Sequence, residues 1–96
     1  MDLAHALKVA LETGKVRLGL AESVAAADAG AARLLIVSTT CPDPRLKEAR
    51  ALGRVPIYHY EGTAVELGQA CGRPHPISAL AVVDPGASAI LSLETG

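Results

Sequence analysis

The sequence predicts an α/β fold, a three-layer α/β/α sandwich around a sheet of roughly four strands. Helix signals and short apolar strand signals alternate along the chain. Gly14, Gly30, Gly53 and Gly72 punctuate them where each can close a helix. The run from Ser78 to Val83 is almost wholly apolar, as expected of a strand covered on both faces.

The first helix starts after Asp2 and sets Leu3, Leu7, Ala10 and Leu11 on one face, the spacing of an amphipathic helix against a core. Val16 to Leu18 form a short strand. The second helix, near Glu22 to Ala29, is rich in alanine, which favours helix but buries little area. Arg33 to Val37 is the next strand. Asp43 as cap and Pro44 at the first helical position start a third helix, which ends before Gly53. Val55 to Tyr58 is the third strand.

The stretch from Glu61 to Gly86 is the most explicit part of the chain. Thr63 and Glu66 form a T-x-x-E capping box, whose hydroxyl and carboxylate satisfy backbone donors at a helix start, and Gly72 offers a left-handed stop. Arg73-Pro74-His75-Pro76-Ile77 cannot continue that helix, because proline removes a donor and extends the residue before it. A stiff, mostly exposed loop results, and function is expected there. The apolar strand follows, and Asp84-Pro85-Gly86 turns the chain. Ala87 to Leu93 fits either a short helix or an edge strand.

The 96 residues suit a single domain spanning 1–96, without internal repeats or low-complexity linkers. A chain of this size buries roughly 60–65% of the surface that its unfolded form exposes, enough for a modest core. Half the residues are hydrophobic, yet no apolar run approaches the ~20 residues that span a bilayer, and Met1-Asp2 begins no signal peptide. A soluble cytoplasmic protein with no membrane partner is expected. A net charge of -1 supplies no global attraction for nucleic acid, so any RNA contact must come from local clustering of the nine Lys and Arg residues.

Catalytic and metal readings are weak, and neither a cofactor nor an enzymatic activity is expected. Cys41 and Cys71 are too few for a disulfide framework and lack a C-x-x-C arrangement, so two reduced, core-compatible thiols are expected. Cys71 and His75 are four residues apart, but Gly72 and Pro74 break the helix that would align them. Asp84 is explained by turn chemistry and Glu66 by the capping box. No glycine spacing carries the Lys-Ser or Lys-Thr of a phosphate loop.

Several segments, taken in order, resemble one family across nearly the whole chain. They are D-L-A-H-A-L-K, E-T-G-K-V-R-L-G, R-L-L-I-V, V-P-I-Y-H-Y-E-G-T-A-V-E-L-G and A-L-A-V-V-D-P-G. Together they resemble the "L thirty e" family of large-subunit ribosomal proteins of archaea and eukaryotes, within the wider superfamily of kink-turn RNA-binding proteins. The resemblance implies a structural constituent of the archaeal large ribosomal subunit that grips a kinked internal loop of ribosomal RNA. Ribosomal RNA is the implied partner, with neighbouring ribosomal proteins beside it and a monomer in isolation.

The resemblance also implies where that RNA binds. Loops beyond strand ends form the usual crevice of an open α/β sheet, here Gly19 to Ser23 and Ser38 to Asp43; the family adds Arg73 to Ile77. The third loop precedes its strand, so it shares an edge with the others only if that strand is antiparallel to the first, which predicts a mixed sheet. The superfamily pattern Gly-x-Asn-Glu stands here as Gly19-Leu20-Ala21-Glu22, and Ala21 lacks the hydrogen-bonding side chain of the pattern. Ser38, Thr39 and Thr40 offer hydroxyls to phosphate or sugar. His75 is placed to stack and Ile77 to wedge.

Phosphate contacts are expected from Lys15, from Arg45, Lys47, Arg50 and Arg54 along the third helix region, and from Arg73. The alternative for the basic third helix is plain solvation of its outer face. Two other functions remain open: a kink-turn protein outside the ribosome, which Ala21 disfavours, and a protein-interaction module that keeps the fold with weakened RNA affinity.

Overall fold

The computed structural model describes residues 3–48, 51–88 and 90. Its elements are α1 (Leu3–Thr13), β1 (Lys15–Leu18), α2 (Leu20–Asp28), β2 (Leu34–Val37), α3 (Pro44–Lys47), β3 (Ala51–Leu52), β4 (Val55–His59), α4 (Ala64–Ala70) and β5 (Ala79–Asp84). The five strands form one mixed sheet in the order β1-β5-β2-β4-β3. β5 lies antiparallel between β1 and β2, while β2 and β4 are parallel. This is the mixed α/β sheet expected, with one strand more than the sequence indicated.

Side-chain alternation along the central strands divides the core into two apolar layers. On one face Leu34, Ile36, Leu80 and Val82 pack with Ala6, Leu7 and Ala10 of α1 and Leu67 of α4. On the other, Leu35, Val37, Ala79 and Ala81 pack with Ala26 of α2, Leu46 of α3 and Ile57 of β4. β2 is buried at every position and β5 at its first four, which is why both read as continuous apolar runs.

Local signals set the helix limits. Thr63 caps α4 with the full capping box, its hydroxyl accepting from the Glu66 amide while Glu66 accepts from the Thr63 amide. α4 ends where Gly72, at φ 72°, donates to the Gln69 carbonyl and Arg73 donates to Gly68, a Schellman closure. Asp43 caps α3 through the Arg45 amide, and Pro44 opens it. The Asp2 cap lies outside the described residues, as does most of the tail from 87 to 93. Within that tail Ser88 donates its hydroxyl to the Ala6 carbonyl, and Ile90 is buried in the α1–α4 layer.

The third helix is shorter than expected. α3 is a single turn, and Gly53 closes no helix. It sits with Arg54 in the two-residue turn between the paired residues Leu52 and Val55, at φ 62°. A turn needing positive φ fits glycine, and the hairpin supplies the extra strand, β3. A two-residue strand carries too little pattern to announce itself in the sequence.

Candidate nucleic-acid interface

Strand direction gathers four connections at one sheet edge. Leu18 at the end of β1 pairs with Leu80, and Val37 at the end of β2 pairs with Ala79, so β5 begins where those strands finish. Val37 also pairs in parallel with His59, which brings residues 60–63 to the same edge. That fourth connection was missed in the sequence, although a strand–helix–strand crossover favours parallel pairing and would have placed it.

The first connection is the start of α2. Gly19 caps it at φ 110° and ψ 156°, its amide bonded to the Ala79 carbonyl, and no side chain caps the helix. The amides of Leu20, Ala21 and Glu22 therefore have no acceptor within the helix, and the positive end of its dipole faces the edge. Ser23 returns both its amide and its hydroxyl to the Gly19 carbonyl. Ala21 has no polar side chain, but its backbone donor is in place.

The second connection departs from expectation. Ser38 is 2% exposed, and its hydroxyl donates to the Ser78 carbonyl at 2.9 Å, so it offers nothing to phosphate. Thr39 donates both amide and hydroxyl to the Gly62 carbonyl, using its one hydroxyl hydrogen. Thr40 differs: its Oγ1 accepts from the Ala64 amide at 2.9 Å, leaving its hydrogen available to an outside acceptor. Of the three hydroxyls, Thr40 alone keeps the donor that a phosphate requires.

Among the described residues, Arg45 and Lys47 are the cations of the third helix region that stand near this edge. Arg45 is bound to Asp43 through Nη2–Oδ2 at 3.0 Å, which holds the Asp43 carboxyl below its usual range and pushes the guanidinium up. Lys47 is exposed and lines a cavity of about 150 Å³ with Thr39, His59 and Tyr60. Glu22, Asp43, Glu61 and Glu66 stand against these two cations. Arg50 lies outside the described residues.

The third connection runs back along α4, so that only its end reaches the edge. Arg73 donates to Gly68, the His75 carbonyl lies against Gly68, and Ile77 donates to Ala64 at the helix start. His75 is exposed and available for stacking. Ile77 is not a wedge: it is 2% exposed and belongs to the core beside Leu67 and Cys71. Arg73 stands at the far end of α4, about 10 Å of helix from the edge.

Lys15 and Arg54 are also displaced from the expected interface. Lys15 starts β1 opposite Asp84, so three strand residues, about 10 Å, separate it from Leu18. Arg54 sits in the hairpin turn before β4, at the edge opposite the loops. Both corrections follow from strand direction, which residue proximity in sequence does not reveal.

Among the described residues the candidate catalytic groups do not converge. Cys41 and Cys71 are buried free thiols, and burial pushes the Cys71 thiol up to about 11. Asp84 accepts from the Gly86 amide at 2.9 Å, as its turn requires. Among the described residues no three His, Cys, Asp or Glu side chains cluster as metal ligands.

Fold and edge together define a small α/β/α protein that presents loop backbone and helix amides at one side of its sheet. The chain belongs to the ribosomal protein L7Ae/L30e/S12e/Gadd45 family, whose model matches residues 1–92. It is 43% identical over 96 residues to large ribosomal subunit protein eL30 of Pyrobaculum calidifontis, covering 97% of this chain and 95% of that one. It is 40% identical over 93 residues to the protein of the same name from Methanothrix thermoacetophila, covering 97% and 89%. The match to that of Methanosarcina mazei is 42% over 92 residues, covering 96% and 88%.

Proposed function

We propose that this protein is a non-enzymatic, single-domain constituent of the archaeal large ribosomal subunit, working in the cytoplasm on the ribosome. It binds a kinked internal loop of ribosomal RNA through the sheet edge formed by residues 19–23, 38–43, 60–63 and 75–78. The observation that carries this reading is the antiparallel seat of β5 between β1 and β2, which brings the uncapped α2 amides and the His75 loop to one side of the sheet. A kinked internal loop splays bases and exposes edges and faces that a regular duplex hides, and free amides at a helix start suit its phosphates.

In this reading the amides of Leu20, Ala21 and Glu22 and the Thr40 hydroxyl hold phosphate or sugar, Lys47 and Arg45 supply charge, and His75 stacks on a base. Thr39 and Ser38 act indirectly by fixing the loop. The test is a titration with a kink-turn RNA and an unkinked duplex at low and near-physiological salt. Kink-selective binding that weakens with salt supports the reading; equal affinity for both RNAs contradicts it.

The acidic balance of the edge, Glu22, Asp43, Glu61 and Glu66 against Arg45 and Lys47, favours a second reading as a protein-interaction module with weakened RNA affinity. That reading predicts no kink-selective binding even at low salt.

A further inference from the structure

We propose that the opposite edge of the sheet is a second RNA-contact surface, which takes the phosphate backbone of a duplex segment and lets the protein bridge two parts of one RNA. This goes beyond the kink-binding edge and uses none of its residues. β1, β2 and β4 all begin at this side, and each start carries a cation. Lys15 opens β1 opposite Asp84; Arg33 precedes β2 with its amide on the Val82 carbonyl; Arg54 lies in the turn before β4. In the strand order β1-β5-β2-β4, Lys15 and Arg33 start strands about 10 Å apart, and Arg33 and Arg54 precede neighbouring strands about 5 Å apart.

The register sets these three within about one residue of each other along the strands: Lys15 pairs with Asp84 just before a register shift, Leu34 pairs with Val82, and Leu35 pairs with Ile57. All three are exposed, and none forms an ion pair among the described residues. Arg73 extends the positive surface onto the helical layer, beside Lys8 at a cavity of about 650 Å³ between α1 and α4. Among the described residues the acids on this side are Glu12, Asp28, which also acts on Arg45, and Asp84, which has one carboxylate oxygen engaged by the Gly86 amide.

Exposed cations spaced along a sheet edge, in no ion pair among the described residues, match the repeated charge of a nucleic-acid backbone. A protein partner fits less well, because specific protein interfaces centre on apolar anchors. Among the described residues the exposed large hydrophobic side chain is Val65, in the first turn of α4 and so at the other edge. Within a net charge of -1 the distribution is uneven, with Lys15, Arg33 and Arg54 away from the acidic kink-binding edge.

The experiment loads the full chain with a saturating minimal kink-turn RNA and titrates in a labelled plain RNA duplex at 50 and 200 mM salt. The loaded protein binds the duplex, and three phosphate contacts weaken that binding roughly 40-fold across the range. Lys15→Gln, Arg33→Gln and Arg54→Gln combined reduce duplex affinity at least tenfold at 50 mM salt and leave kink-turn affinity unchanged, with folding checked by circular dichroism. Failure of the loaded protein to bind duplex at 50 mM, or wild-type duplex affinity in the folded triple variant, overturns the proposal. The same duplex titrations on the free protein and the variant decide the matter if the kink-turn RNA itself does not bind.

Discussion

The His75 carbonyl rests on Gly68, so close that a β-carbon at position 68 would collide with backbone oxygen. This contact, with the Arg73–Gly68 and Ile77–Ala64 hydrogen bonds, lays residues 73–77 along α4 and presents His75 outward. Gly68→Ala must push that segment away, because the obstructing atom belongs to backbone and not to a flexible side chain. The expected cost is about 1–3 kcal/mol by urea denaturation, as for other overpacked sites, together with weaker kink-turn binding. Unchanged stability would mean that the segment is free to move.

Thr40 joins the second loop to the start of α4 through the Ala64 amide. Thr40→Val removes the acceptor, leaves a part-buried helix amide unpaired and is expected to cost about 1–3 kcal/mol. Thr40→Ser keeps the oxygen and restores most of that stability. RNA affinity falls in the valine variant and is retained in the serine variant, since the hydroxyl hydrogen is the one free for phosphate.

Thr63→Ala removes the capping box from a seven-residue helix and is expected to lower stability by about 1 kcal/mol. Measured RNA affinity should change little at protein concentrations where the variant stays folded, which separates this cap from Thr40.

The Cys71 thiol is raised by burial from its ordinary 9.0 to about 11. Folded protein then holds the proton more tightly than unfolded chain, so this contribution to stability is fully present below pH 9 and is lost as pH rises toward 11. The difference in urea midpoint between wild type and Cys71→Ala should narrow over that window, after common effects such as tyrosine ionisation cancel. Alkylation at pH 8 should be slow, because a two-unit shift leaves roughly a hundredth of the thiolate.

Lys47→Ala should flatten the log–log salt dependence of kink-turn binding by about 0.7–0.9, the share of one phosphate. Arg54→Ala should leave that slope unchanged with a minimal kink-turn RNA, because Arg54 lies at the opposite edge.

What was legible in the sequence was mostly local chemistry. Thr63 with Glu66, Asp43 with Pro44, Gly72 and the Asp84 turn each act over a few residues, and each appears in the structure as its spacing indicates. The apolar run into β5 announced a central strand for the same reason. Strand direction was less legible, and it decides which edge a residue occupies: Lys15 was expected near the first loop and Arg54 along the third helix region, and both lie before or at strand starts, at the opposite edge. Burial at loop ends was also hidden. Ser38 and Ile77 look like loop residues in sequence, but the β2–β5 pairing and the α4 backbone draw them inside. Thr40 could be told from Thr39 only by its bond partner.

The central claim is tested most directly by mapping backbone amide chemical shifts as a minimal kink-turn RNA is added to one equivalent. The account predicts the largest changes at Gly19, Leu20, Ala21 and Glu22, with Thr40 and His75 following and the hairpin turn at Gly53 and Arg54 unmoved. Unshifted amides at the start of α2, in a complex that nonetheless forms, would contradict it.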